Sequence, residues 1–125
     1  MLTFTLRDAI PSGKNQIGIA YQRGKMIRFP NKRFKDWRNQ ASKEVLAQVS
    51  LHKKPLVGPL VCVADYVPQD QRRRDLPGLA DAIWHLLEYT GLIEDDSQIV
   101  DLHWHSYKQD IAAPCLKVTL TEKGT

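Results

Sequence analysis

The stretch Gln71–Asp101, QRRRDLPGLADAIWHLLEYTGLIEDDSQIVD, predicts a helix with charged groups gathered at both of its ends. Three arginines precede Asp75, and Pro77 suits the first turn of the helix, where its missing N–H costs nothing. The helix would run for about 14 residues, or roughly 20 Å, before Gly91 stops it. An acidic turn follows at residues 94–96. Arginines beside clustered carboxylates favour a site that attracts an anion and holds a divalent cation against it.

The composition fits one globular domain. The chain has 125 residues, 42% of them hydrophobic, which is enough to bury a core without cross-links. Cys62 and Cys115 lie in apolar strand-like runs, so we expect no disulfide framework and a reducing compartment. The N-terminal stretch does not resemble a signal peptide, and no apolar run approaches membrane-spanning length. We therefore expect a single domain over residues 1–125 in the cytoplasm, with no membrane partner.

Charge is divided unevenly along the chain, although the total is only +4. Residues 1–74 carry 15 Lys and Arg against 5 Asp and Glu, a net of +10, whereas residues 75–125 carry 3 against 9, a net of −6. A basic half joined to an acidic half favours an anionic partner bound by the first and a metal placed by the second. The alternative is that the halves neutralise each other across one surface. We expect nucleic acid as the partner.

Hydrophobic periodicity predicts the elements in the order βββαβαββ. Strands are predicted at residues 2–7, 17–21, 26–29, 60–67, 98–107 and 115–121, and helices at residues 32–50 and after Asp75. Apolar residues three and four apart give each helix one buried stripe. The stripes are Phe34, Trp37, Ala41, Val45 and Val49 on the first helix and Leu79, Ile83, Leu86, Leu87 and Thr90 on the second. The remaining surface of the first helix is expected to carry Lys32, Arg33, Lys35, Arg38 and Lys43. This order predicts an α+β fold, a single mixed β-sheet with two main helices packed on it.

The charged residues suit phosphodiester chemistry, which needs a metal held by hard oxygen ligands, an activated water and cations that offset the phosphate charge. Asp75 lies where a strand leads into a helix, and Asp95 and Asp96 precede the next strand, so these carboxylates are candidate metal ligands. For these carboxylates to bind one metal ion, the sheet must bring the residues at both ends of the helix to the same edge. Basic side chains would contact phosphates, although a solvated hairpin tip or loop explains the same charges. The candidate nucleic-acid-binding residues are Lys14, Arg23, Lys25, Arg28, Lys32, Arg33, Arg72, Arg73 and Arg74.

The same residues resemble a known family. The run RRRDL, a short helix, a glycine-hydrophobic turn and EDDSQIVD are together similar to the RusA family of Holliday-junction resolvases. The segments IPSGKNQ and FPNKRFKDWR resemble that family's N-terminal opening and the start of its first helix, so the resemblance covers most of the chain. It implies a small homodimeric endonuclease of recombination and repair, bacterial or prophage-encoded, that binds branched double-stranded DNA. Such an enzyme would use Mg²⁺, with Mn²⁺ as a substitute, to cut opposed strands of a four-way junction symmetrically.

The resemblance also assigns roles residue by residue. Arg74 matches the basic residue before the family's first aspartate, and Asp75 matches that aspartate, a metal ligand. Asp96 matches the acidic residue after the helix, with Asp95 beside it. The resemblance therefore implies a catalytic metal site at Asp75 and Asp96, with Asp95 as a neighbouring ligand.

The chain departs from the family pattern Asp-x-Asp-Asn-x-x-Lys at three positions. Pro77 stands in place of the second metal-binding aspartate, Gly78 in place of the asparagine, and Asp81 in place of the catalytic lysine. If Pro77 opens the helix, Asp81 lies about one turn on, and its side chain leans back toward the position of the missing aspartate. Asp81 would then join the catalytic metal site, with Lys14 in the role of the lysine. The competing interpretation is a solvent-facing helix residue favoured by the helix dipole.

Other aromatic and imidazole side chains allow more than one interpretation. His103 and His105 share a face of a predicted strand, as zinc ligands can, but no Cys or further His lies at a suitable spacing. Trp37 fits core packing better than base stacking. Trp84 is not needed by the buried stripe, so it is a candidate for a subunit contact, and His85 is expected to be packed or partly exposed.

Two functions stand as hypotheses. The first is a junction-cleaving endonuclease, and the second is a RusA-like DNA-junction-binding protein that has lost cleavage. They share a fold, a partner and a charge distribution, so composition does not separate them. A third interpretation, an acidic patch that binds a basic protein, is disfavoured because the arginines adjoin the carboxylates.

Overall fold

The computed structural model describes residues 1–7, 10, 17–22, 24–30, 32–49, 55–68, 76–110 and 113–123, and for residues 17–22 and 25–30 it describes only the backbone. The elements are β1 (Leu2–Leu6), β2 (Ile17–Gln22), β3 (Lys25–Pro30), α1 (Lys32–Gln48), β4 (Leu60–Val67), α2 (Leu76–Tyr89), β5 (Ile99–Ser106) and β6 (Cys115–Glu122), with a short 3₁₀ turn at Asp96–Gln98. The predicted order is confirmed. Element ends differ from the prediction by about one or two residues, which is the usual uncertainty of such boundaries.

Four strands form one mixed sheet in the order β1-β6-β4-β5. β4 and β5 run parallel, whereas β6 is antiparallel to both of its neighbours. The protein is therefore a single small domain with a mixed sheet and two helices, which confirms the α+β class. β2 and β3 form a second, two-stranded sheet that the prediction of one sheet did not include. They pair antiparallel from Ile17 with Pro30 to Gln22 with Lys25, and Gly24, just before β3, has a φ of 76°.

One face of the four-stranded sheet carries the core. Along β4, Leu60, Cys62, Ala64 and Tyr66 are buried, and the residues between them are half-buried. The two predicted helix stripes are confirmed as the surfaces that pack in the core, since all members are buried except the half-buried Trp37 and Thr90. Burial of this apolar area is the main favourable contribution to folding. Neither helix in the described ranges has the length and apolarity needed to cross a membrane.

The C-terminal end of α2 fixes where the acidic turn begins. The N–H of Leu92 donates to the carbonyl of Leu87, and the N–H of Gly91 donates to the carbonyl of Glu88, each at 3.1 Å. This pair of bonds closes a helix in a Schellman motif. Gly91 has a φ of 76°, which glycine adopts without strain, so the predicted stop is confirmed. The chain then passes through the buried residues Leu92 and Ile93 toward β5.

Arg38 and His85 join α1 to α2. Arg38 Nη1 lies 3.1 Å from His85 Nε2, and the guanidinium stacks 4.2 Å from the ring centroid of Tyr89. Because arginine only donates, His85 Nε2 must accept, which requires the neutral imidazole. Burial first, and then the charge of Arg38, lowers the pKa of His85. Arg38 is therefore half-buried between the helices and not on the basic surface where the pattern predicted it.

We expect the fold to lose stability as the pH falls below about 6.5, the ordinary pKa of histidine. The pKa of His85 is lower in the folded protein than in the unfolded chain, so the unfolded chain binds more protons in this range and acid favours unfolding. Urea unfolding between about pH 7.5 and about pH 5 should show a steeper loss for the wild type than for His85→Gln, whose amide accepts from Arg38 without titrating. Equal slopes in the two proteins would contradict this role of His85.

Candidate functional site

The acidic turn after α2 is built by a capping box. Asp95 is the N-cap of the 3₁₀ turn, and its Oδ1 accepts the N–H of Ser97 at 2.9 Å. Gln98 Oε1 in return accepts the N–H of Glu94 at 2.9 Å and that of Asp95 at 3.1 Å. These two side chains satisfy backbone donors that have no partner within so short a turn. The backbone is thereby held in one conformation at Asp96, whose side chain is exposed.

Gln98 also fixes the turn to the segment before β4. Its Nε2 donates to the carbonyl oxygens of Leu56 at 2.9 Å and Gly58 at 3.1 Å. The N–H of Leu56 donates to the carbonyl of Leu92 at 2.8 Å, so the same segment is tied to the end of α2. Gln98 was not among the predicted site residues. The signal that could have found it is the capping-box spacing, in which an N-cap aspartate precedes a glutamine by three residues.

Replacing Gln98 with alanine should lower the free energy of unfolding by about 1–3 kcal/mol, because it leaves backbone groups of two segments without their partner. Chemical denaturation measures this loss. The matched control is Gln40→Ala, at an exposed position of α1, which should change stability by about 0.5 kcal/mol or less. Similar losses in both variants would show that the Gln98 amide does not hold the turn.

Carboxylates of the turn and of α2 act on one another. Although Asp96 is exposed, slight desolvation raises its pKa, and so do a hydrogen bond with Asp95 and the charges of Asp95 and Asp81. Burial and the charges of Asp96 and Asp95 raise the pKa of Glu88. The pKa of Asp95 is instead lowered, first by the N–H of Ser97. A bound proton or divalent cation would therefore offset more electrostatic repulsion at Asp96 than at the capping residue Asp95.

Asp81 and Asp96 are two predicted site residues that the fold brings within electrostatic reach of each other. The interpretation of Asp81 as a metal ligand needs the two carboxylates to share one cation, whereas the competing interpretation needs Asp81 to be exposed, as it is. Asp75 lies outside the described residues, so its meeting with Asp96 stays a prediction. Among the residues that the structure describes, no group of three or more His, Cys, Asp or Glu side chains is arranged to hold a metal ion. The described carboxylates thus supply only part of the predicted site.

The predicted nucleic-acid-binding residues are described only in part. Lys32 and Arg33 are exposed in the first turn of α1, where Lys32 Nζ lies 2.9 Å from Asp36 Oδ2. An exposed pair of this kind contributes little, so it leaves Lys32 available to a phosphate. Lys25 and Arg28 belong to β3, of which only the backbone is described. The residues that lie outside the described ranges are Lys14, Arg23, Arg72, Arg73 and Arg74.

The strand histidines are both exposed on β5. His105 Nδ1 lies 3.2 Å from Asp65 Oδ1, which also accepts a hydrogen bond from the Tyr107 hydroxyl at 3.2 Å. That hydrogen bond, followed by the charge of Asp65, raises the pKa of Tyr107. His105 therefore takes part in a contact between β4 and β5, whereas His103 stands two residues before it on the same strand.

The tryptophans occupy different surroundings. Trp37 lies with its ring centroid 5.5 Å from that of Phe34 and packs against the core, which confirms the interpretation as core packing. Trp84 is half-buried on α2 and, with Trp104 of β5, lines a cleft. This cleft could not be predicted from the sequence, because the two residues lie on different elements.

Comparisons with known proteins assign no family. No protein-family model matches the chain, and no curated protein matches it significantly. The resemblance to the RusA family therefore rests on the residues quoted from the sequence.

Proposed function

We propose that this protein is a structure-selective DNA endonuclease that resolves four-way junctions in recombination and repair, with Mg²⁺ as its cofactor. The observation that carries the proposal is the electrostatic interaction of Asp96 with its neighbour Asp95 and with Asp81 of α2, which helps to raise the pKa of Asp96. Carboxylates with perturbed pKa values concentrate at functional sites. The resemblance of RRRDL and EDDSQIVD to the RusA family supplies the reaction class.

The donor chemistry suits a hard divalent cation. Asp81 and Asp96 offer the carboxylate oxygens that Mg²⁺ and Mn²⁺ prefer, and Asp95 adds another beside them. Asp75, a ligand according to the resemblance, would complete the set. A metal bound there would polarise the scissile phosphate and lower the pKa of the attacking water. Because a ligand must be deprotonated and the pKa of Asp96 is raised, metal affinity should increase with pH.

The basic half of the chain supports DNA as the substrate. Residues 1–74 carry a net charge of +10, and Lys32 and Arg33 present exposed cations at the start of α1. Contacts to phosphates position DNA without reading its sequence, so they suit a substrate recognised by its branched shape. A homodimer would place one acidic site against each of two equivalent strands, as symmetric cleavage requires.

A second function, binding four-way junctions without cutting them, has support of its own. Asp95 Oδ1 is engaged as an N-cap, since it accepts the N–H of Ser97. Pro77 stands where the resembled family has a metal-binding aspartate. This second candidate shares its DNA partner and its homodimer with the first, so only the cleavage step separates the two.

A cleavage assay distinguishes the two candidates. The protein is incubated with a four-way junction labelled on each strand in turn, in Mg²⁺, in Mn²⁺ or in EDTA, with linear duplex of the same sequence as the control substrate. Metal-dependent nicks at symmetric positions, absent from the linear duplex, support the endonuclease. Preferential junction binding without nicks supports the binding protein. Equal affinity for junction and duplex contradicts both.

A further inference from the structure

A cleft on α2 shares Asp81 with the metal site proposed above, but its other lining residues have no part in that metal chemistry. It lies between the first half of α2 and β5, and its volume is about 450 Å³, which is typical of a site for a small organic group. Asp81 supplies a carboxylate to a lining that is otherwise apolar among the described residues. The side chains that form it are Leu76, Pro77, Ala80, Asp81, Trp84, Leu102 and Trp104.

The fold fixes the walls of this cleft. Asp81 and Trp84 are three residues apart, so they lie on one face of α2, and Trp104 lines the same space from β5. The Trp104 ring packs edge-on against Tyr66 with the centroids 5.6 Å apart, and its indole N–H donates to Ser106 Oγ at 3.0 Å. The Trp104 side chain is therefore held in place before a ligand binds, which reduces the loss of conformational entropy on binding.

The lining selects for a flat ring with hydrogen-bond donors on its edge. Indole rings stack on planar π-systems, and such stacking tolerates any base because every base has a π-face. An ionised carboxylate only accepts hydrogen bonds, so an amino group satisfies Asp81. An anion is disfavoured, because the carboxylate of Asp81 in the lining would repel it. Adenine, cytosine and guanine carry amino groups, whereas thymine does not.

We infer that the cleft binds one unstacked nucleobase, with Trp84 and Trp104 against the ring and Asp81 accepting from its amino group. The inference rests on the proposed function for the source of that base. A base at the branch point of a junction, where stacking is interrupted, costs less to unstack than one inside a duplex. The cleft thereby gives the protein a preference for amino-bearing bases beside the branch point.

Titration of the metal-free protein with deoxynucleosides tests the cleft without any cleavage. In EDTA, deoxyadenosine and deoxycytidine should shift the indole N–H resonances of Trp84 and Trp104 until they saturate. Thymidine should bind roughly fivefold more weakly, because it offers no amino group to Asp81. Trp37, which packs on Phe34 of α1, is the internal control and should not shift.

Variants separate stacking from hydrogen bonding. Trp84→Ala should weaken deoxyadenosine binding roughly tenfold, whereas Trp84→Phe, which keeps an aromatic face, should retain most of the affinity. Asp81→Asn should reduce the preference for deoxyadenosine over thymidine, because an amide both donates and accepts. Neither readout requires metal or cleavage, so the cleft can be confirmed even if the junction assay shows no nicks.

Three results would overturn the inference. The first is the absence of saturable shifts at Trp84 and Trp104, and the second is a shift of equal size at Trp37. The third is a shift of the cleft resonances with protein concentration in the absence of nucleoside, which would indicate that a second copy of this chain fills the cleft.

Discussion

Asp96→Asn is expected to abolish junction cleavage and to leave the metal-free protein at least as stable as the wild type. Asparagine keeps the size of aspartate but lacks the charge that a divalent cation requires. The pKa of Asp96 is raised by slight desolvation and by nearby carboxylates, so its ionisation as the pH rises through that pKa reduces the stability of the fold. The asparagine side chain does not ionise, so the variant lacks this loss of stability. Loss of one charged group at the reacting centre should lower the cleavage rate at least about a hundredfold.

Thermal unfolding with and without Mg²⁺ separates these two effects. A ligand that binds only the folded state raises its stability, so the wild type should gain from Mg²⁺ and Asp96→Asn should not. The matched control is Asp101→Asn on β5, where Asp101 Oδ2 lies 3.4 Å from Lys123 Nζ, and it should keep both the Mg²⁺ response and cleavage. A full Mg²⁺ response in Asp96→Asn would exclude Asp96 as a ligand. Unchanged Mg²⁺ affinity in Asp81→Asn would leave Asp81 as a surface residue.

Leu87→Ala should lower the free energy of unfolding by about 2–5 kcal/mol, the range for truncating a buried leucine. The Leu87 side chain is fully buried, and its carbonyl accepts the N–H of Leu92 that closes α2. Because the helix is held at this point, the surroundings can collapse only partly into the cavity. A domain of this size has a total stability of about 5–15 kcal/mol, so the loss is a large fraction of it.

Urea denaturation checks this prediction against a matched leucine. Leu46 lies on α1 with 47% of its surface exposed, and Leu46→Ala removes the same atoms from a position near solvent. Its effect should stay within about 0.5 kcal/mol. If the two variants lose the same stability, the Leu87 side chain does not contribute to the core as its burial indicates.

Local signals were sufficient to predict the elements and the fold class. Phe34, Ala41 and Val45 recur at helical spacing, and Gly91 follows Thr90, the last member of the second helix's predicted stripe. Each helix boundary could therefore be predicted from a short stretch of sequence. Strand pairing could not be read in this way. Alternation shows which side of a strand is buried, but the separation of β2 and β3 from the main sheet depends on tertiary contacts.

The candidate site was predictable as a set of residues but not as a set of contacts. The acidic turn could be identified from its local amino-acid sequence, whereas the contact of Arg38 with His85 depends on how α1 packs against α2. Trp84 and Trp104 line one cleft only because β5 returns parallel to β4. The predicted meeting of Asp75 with Asp96 stays a prediction.

The position of β6 between β1 and β4 has a consequence for synthesis on the ribosome. Leu120 pairs with Leu2 on one side and with Cys62 on the other. Until β6 has left the ribosome, β1 and β4 therefore each have an edge that lacks its partner strand. Such intermediates expose apolar surface and are prone to aggregation. A chain ending at Pro114 should therefore be cleaved rapidly in pulse proteolysis, whereas one ending at Lys123 should resist. A protease-resistant core in the shorter chain would mean that folding does not wait for this strand.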